Sequence, residues 1–283
     1  MPPQPDREAS PSQLDLFADR GRVTPCHSPK PMGSLAAVSA ETLTDEELLA
    51  LVPEAGPSSV EAVCSQLVSR SLETAVPALE VLWRRFAGFG IERPFREQLT
   101  VVDTLARLGG TEARAALRRI VLSNALPASL LPATLRAAVQ AGLALPAGFV
   151  GPLLDYGDIA IREAAFALAT RANVPAQRLR EGLSDRSAAN RRAAAVALGL
   201  RGDAGARQPL YDELARLPSK EVIEAITTIW DDDAIVHLGR CARRNPQLAG
   251  AVLDALRDIG SPRAEMVASN LESAIGSSMP TGD

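Results

Sequence analysis

The 283-residue sequence predicts an all-α fold: a right-handed α-solenoid of stacked antiparallel helix pairs behind a disordered N-terminal tail. Three observations predict it. The first is a phrase that returns three times: an apolar helix end, a Gly, a few small or polar residues, and an Ala-Arg or Arg-Ala step opening the next helix. It reads Leu105-Ala106-Arg107-Leu108-Gly109 before Ala113-Arg114, Leu198-Gly199-Leu200-Arg201-Gly202 before Ala206-Arg207, and Leu256-Arg257-Asp258-Ile259-Gly260 before Arg263-Ala264. Gly109, Gly202 and Gly260 lie 93 and 58 positions apart, close to three and two copies of a unit of about 30 residues, the range of solenoid repeats. The second is composition: 46% of the chain is hydrophobic but only 4% aromatic, so the core is built from Ala, Leu, Val and Ile, which suit closely packed helices. The third is periodicity, since apolar residues recur at helical spacing and no alternating strand pattern of useful length interrupts them.

The elements follow in order. Residues 1–40 hold Pro2, Pro3, Pro5, Pro11, Pro25, Pro29 and Pro31 among polar residues, a stretch too polar and too broken to bury a core, and they are expected to be disordered. Residues 41–94 are expected to form N-terminal capping helices. Thr44 followed by Glu47 and then Leu48, Leu49 and Val52 is a capping-box opening. Val60, Val63, Cys64 and Leu67 make one stripe at helical offsets, and Leu79, Leu82, Trp83 and Phe86 make the next, before a break at Gly88, Gly90 and Pro94.

Residues 95–274 are expected to hold the repeats, as six helix pairs: 95–108 with 111–123, 127–142 with 146–154, 157–171 with 174–183, 186–200 with 204–216, 218–230 with 233–243, and 246–259 with 261–274. Residues 275–283, rich in Gly and Ser, read as a disordered end. The segment Asn190 to Gly199 shows why the units stack: its alanines allow close helix approach while Leu198 and Val196 are expected to fill the gap to neighbours. Ile161-Arg162-Glu163-Ala164-Ala165-Phe166-Ala167-Leu168 repeats it, with Arg162 29 positions before Arg191.

These phrases resemble the HEAT repeat, in particular its short variety that also occurs in phycobilisome lyases. Arg191 through Gly199 and then Pro209-Leu210 carry the resemblance best. Arg162 through Leu168 match without the Gly, and the unit around Ile223 has lost the Arg. The resemblance covers about residues 95–274 and implies a superhelical scaffold with a concave face for partners.

Net charge is −4 and the sequence pI is about 5.4, which argues against a protein whose main task is neutralising phosphates, so direct nucleic-acid binding is not the expected role. Lys30 and Lys220 are the only lysines, and arginine doublets recur at Arg84-Arg85, Arg118-Arg119, Arg191-Arg192 and Arg243-Arg244. These read as solvated helix faces whose stems cover apolar surface; a basic groove for nucleic acid is the alternative. Cys26, Cys64 and Cys241 are odd in number with no paired spacing, which suits free thiols in a reducing compartment. With neither a secretory leader nor an apolar run of about 20 residues, the expected location is cytoplasmic, with no membrane partner.

Catalytic material is sparse, and no cofactor or metal is expected. The histidines are His27 in the tail and His237 between Val236 and Leu238. Cys26-His27 and His237 with Cys241 each offer two metal ligands, short of a closed zinc site. Asp231-Asp232-Asp233 reads as the end of one helix and the cap of the next; a cation site is the alternative reading. An enzyme or enzyme accessory on the same repeats, lyase-like or of the DNA-repair type, remains the competing class, and it requires Asp, His237 or Trp230 to converge in a pocket.

One motif points to a particular partner. Gln13-Leu14-Asp15-Leu16-Phe17 resembles the pentapeptide by which bacterial polymerases and repair proteins dock on the DNA sliding clamp. The resemblance implies that Gln13 hydrogen-bonds at a pocket rim while Leu16 and Phe17 fill an apolar cleft. A short amphipathic turn after Ser12 is the alternative, and a start at Met32 would omit the motif. The expected function is therefore that of a non-enzymatic scaffold binding protein partners, with the bacterial sliding clamp as the partner that Gln13 to Phe17 imply.

Overall fold

The structure is a computed structural model that describes residues 40–87, 95–123 and 126–276. Every regular element among the described residues is helical. The chain divides between Leu143 and Ala144 into two compact units. The first holds α1 (Asp45–Leu51), α2 (Val60–Ser69), α3 (Val76–Arg85), α4 (Arg96–Leu108), α5 (Thr111–Val121) and α6 (Leu131–Gln140). In the second are α7 (Ala147–Leu153), α8 (Ile159–Ala169), α9 (Ala176–Gly182), α10 (Ala188–Leu200), α11 (Arg207–Arg216), α12 (Lys220–Thr228), α13 (Asp232–Arg244), α14 (Ala249–Ile259) and α15 (Pro262–Gly276). Of the tail expected over 1–40 only Ala40 is described, opening a short 3-10 turn to Thr42, and α15 runs to Gly276 into the end expected over 275–283; the rest of both segments lies outside the described residues, as do Gly88, Gly90 and Pro94.

Helix ends are written locally. Thr44 Oγ1 accepts from the Glu47 amide at 3.3 Å while Glu47 Oε2 accepts from the Thr44 amide at 2.9 Å, closing the expected capping box at α1. Asp158 Oδ1 accepts from the Ala160 and Ile161 amides and caps α8; Ser219 caps α12. At the other ends, Gly109, Gly202 and Gly260 have φ of 70°, 79° and 61°. A side chain in this left-handed region costs about 1–2 kcal/mol, so the recurring glycine marks a true stop.

Consecutive helices pack as hairpins, and the hairpins stack in two layers within each unit. In the first unit α2, α4 and α6 lie side by side, with α3 and α5 packed against them. In the second, α8, α10, α12 and α14 form one row, while α11, α13 and α15 form another. The core is the aliphatic set that composition requires: the Val60, Val63, Cys64 and Leu67 stripe is buried, as are Leu79, Leu82, Trp83 and Phe86. The alanine of the recurring phrase is fully buried in all three copies, at Ala113, Ala206 and Ala264.

Close approach sets the spacing between rows. A Cβ at Gly199 would lie 2.7 Å from Leu210 Cδ1 and 2.9 Å from Ala225 Cβ, so only glycine lets α10 meet α11 and α12 here. Leu198 is buried as expected, whereas Val196 is only half-buried, because it sits beside rather than within the face that α10 turns to its neighbours.

Arginines tie the turns before α8 and α10 to their helices. Arg162 Nη1 donates to the carbonyls of Tyr156 (2.6 Å) and Gly157 (3.1 Å), and its guanidinium also pairs with Asp185 at 3.0 Å. Arg191 Nη1 donates to the carbonyls of Asp185 (2.8 Å) and Arg186 (3.1 Å). Carbonyls in tight turns need donors once water is displaced, and a fork with five N–H groups can serve two at once.

Candidate functional site

The α12 and α14 helices lie side by side and leave a groove of about 390 Å³ between them. Capping by Ser219 fixes the start of α12 and so the rotation of its faces. Val222, Ala225 and Ile226 turn into the core, while Lys220, Glu224 and Thr228 are exposed along one row. Facing them on α14 are Ala251, Asp254, Ala255 and Asp258. Ile223 and Ala255, both buried, make the floor together with half-buried Ala251. Asp254 lies 3.4 Å from Arg257; among the described residues Glu224 and Asp258 carry no ion pair. A smaller groove of about 310 Å³ is lined by Arg191, Asp212, Glu213 and Arg216, where Arg216 pairs with Glu213.

The residues with most chemical potential gather at the α11–α13 contact. Tyr211 Oη donates to Asp231 Oδ1 at 2.6 Å, the same oxygen accepts from the Ala234 amide at 2.9 Å, and Arg207 lies 3.4 Å from Oδ2. The His237 ring stacks on Tyr211 with centroids 4.4 Å apart and planes 10° from parallel. Burial alone would raise the Asp231 carboxyl, but Tyr211, the Ala234 amide and Arg207 together hold it below the usual carboxylate range. Burial and the neighbouring Asp231 push the Tyr211 phenol well above its ordinary value. An ionised carboxylate accepting two hydrogen bonds and a phenol held protonated make a brace between two helices, with Asp231 also the cap of α13.

Asp231 and His237 both contact Tyr211, but the enzyme reading required convergence in a pocket, and neither residue lines either of the two grooves. Trp230 contributes its carbonyl to Arg207 at 3.5 Å while its side chain is exposed. The acidic run begins as the expected cap. Among the described residues no three His, Cys, Asp or Glu side chains are placed to hold a metal ion. Cys64 and Cys241 are buried free thiols, pushed up by that burial.

The arginine doublets divide between structure and solvent. Arg85 donates to the carbonyls of Pro53 and Ala55, Arg119 pairs with Glu80, and Arg191 and Arg192 bind turn carbonyls and Ser219 respectively. Arg243 and Arg244 are exposed at the end of α13. Gln13, Leu14, Asp15, Leu16 and Phe17 lie outside the described residues, as do Cys26 and His27. Among described residues, no helix is long and apolar enough to cross a membrane.

No family model and no curated protein matches this chain. Sequence reasoning missed the groove and Tyr211. Tyr211 precedes Asp231 by twenty positions, so nothing in local spacing links them, and a groove between α12 and α14 depends on how two helices from different hairpins settle.

Proposed function

We propose that the chain is a HEAT-like, non-enzymatic scaffold that binds protein partners along its stacked helices, and that Gln13 to Phe17 tether it to a bacterial DNA sliding clamp. The observation that carries the scaffold reading is the row α8, α10, α12 and α14, whose neighbouring members leave an exposed groove between α12 and α14. Stacked helix pairs present extended surfaces of this kind to other proteins. The polar groups best suited to chemistry are committed to internal bonds: Arg162 and Arg191 to turn carbonyls, Asp231 to Tyr211 and a helix cap. That commitment favours the scaffold over an enzyme on the same repeats.

Purified clamp pulled down with the full chain tests the tether. Leu16→Ala with Phe17→Ala should abolish recovery, because the two side chains are the apolar anchors of the motif. Unchanged recovery would remove the clamp from the proposal. For the scaffold, affinity purification with the full chain should recover a protein partner whose binding responds to substitutions on the α8 to α14 row; insensitivity to all of them would reject that surface.

A further inference from the structure

The α12–α14 groove has a definite electrostatic character. Helices α8, α10 and α12 each start from an N-cap, Asp158, Ser187 and Ser219, and the fourth residue after each cap is Arg162, Arg191 and Ile223. The first two arginines bring a cation to their turns. In α12 the position is apolar and lies in the groove floor. The walls then carry Glu224 on one side with Asp254 and Asp258 on the other; Lys220 lies near one end and Arg257 pairs with Asp254, which leaves Glu224 and Asp258 as the carboxylates without an ion pair among the described residues.

We propose that this groove docks a basic, arginine- or lysine-bearing segment of a partner protein. The proposal rests on the scaffold reading and names the partner's chemistry. The apolar floor accommodates the aliphatic stems of such side chains, and the wall carboxylates meet their charged heads. Nucleic acid is disfavoured, since phosphates would face Glu224, Asp254 and Asp258. Arginine suits the site better than lysine, because its planar fork presents two parallel N–H donors to a wall carboxylate while its stem lies on the apolar floor.

The test uses the full chain and a fluorescein-labelled peptide of alternating Arg, Ala and Leu, with anisotropy as the readout at low and moderate salt. Saturable binding is expected, with none for the counterpart carrying Glu in place of Arg. Glu224→Gln with Asp258→Asn should weaken binding about tenfold, and Lys220→Glu should tighten it. All three side chains are exposed, so the variants should fold. Glu46→Gln with Glu54→Gln makes the same change in net charge in the other unit and should leave the affinity within about twofold. Absence of saturable binding, equal weakening by the remote pair, or no tightening by Lys220→Glu would overturn the proposal. A protein partner whose binding ignores these groove variants but responds to others on the row would sink this inference and leave the scaffold reading standing.

Discussion

Arg162 and Arg191, 29 positions apart, make the same connection: each Nη1 donates to the carbonyls six and five residues before it, at 2.6 and 3.1 Å for Arg162 and 2.8 and 3.1 Å for Arg191. Arg162 adds a pair with Asp185, whose own carbonyl is bound by Arg191, so two successive hairpins are joined through one turn. Burial alone would raise Asp185, but Arg162 and the Ser187 amide hold it below its ordinary range.

Arg162→Ala should therefore cost about 3 kcal/mol, because it strands a largely buried carboxylate and two turn carbonyls. Arg191→Ala should cost about 2 kcal/mol, since only carbonyls lose a donor. Lysine at either position should recover part of the loss. Urea unfolding of the full chain measures both, and equal costs at the two sites would refute the assigned role of Asp185.

Two glycines in helices of the same unit should respond with opposite sign. Gly199→Ala drives a methyl against Leu210 and Ala225, including the Ala225 carbonyl at 3.1 Å, and should destabilise by about 1–3 kcal/mol. Gly250→Ala meets nothing within 4 Å and should stabilise by about 0.5–1 kcal/mol. Thermal melts of the two variants read the difference directly.

The brace at Tyr211 predicts two pH limbs. Asp231 is depressed in the folded chain, so its contribution is complete above the ordinary value of about 3.9 and is lost as pH falls through the lower folded value. Tyr211 is raised, so its contribution is complete below about 10 and is lost as pH rises through the folded value. Tyr211→Phe should flatten the alkaline limb of a Tm-against-pH curve, and Asp231→Asn the acid limb. Parallel curves for wild type and variants would contradict the brace.

Cys64 and Cys241 are 2% and 5% exposed, and burial keeps both thiols protonated. In a Cys26→Ser chain, neither should react appreciably with an aromatic disulfide reagent at neutral pH until denaturant is added, after which both should. Rapid stoichiometric reaction in native buffer would show that the helices open locally at these positions.

Local chemistry was legible in the sequence. The capping box of Thr44 and Glu47 spans one turn, and the left-handed glycines sit where an apolar helix pattern stops, so spacing alone located them. Asp231 as a cap was legible for the same reason. The extent of Val196 burial was not, since it depends on the rotation of α10 against neighbours from other hairpins. Nor was the acceptor of Arg162 in the following turn, or the stacking of His237 on Tyr211, because each joins residues separated by 20 or more positions.

The sequence by itself determined that this chain forms helices, where most of them start and stop, and that they associate in repeated pairs, because those properties are set by periodicity, caps and glycines acting over a few residues. Only the tertiary structure decided which polar groups became braces and which were left along a groove. Asp231 and Glu224 are both acidic residues of neighbouring helical segments, seven positions apart in the sequence. Packing of α11 on α13 brings Tyr211 and Arg207 to Asp231, whereas the gap between α12 and α14 leaves Glu224 facing carboxylates.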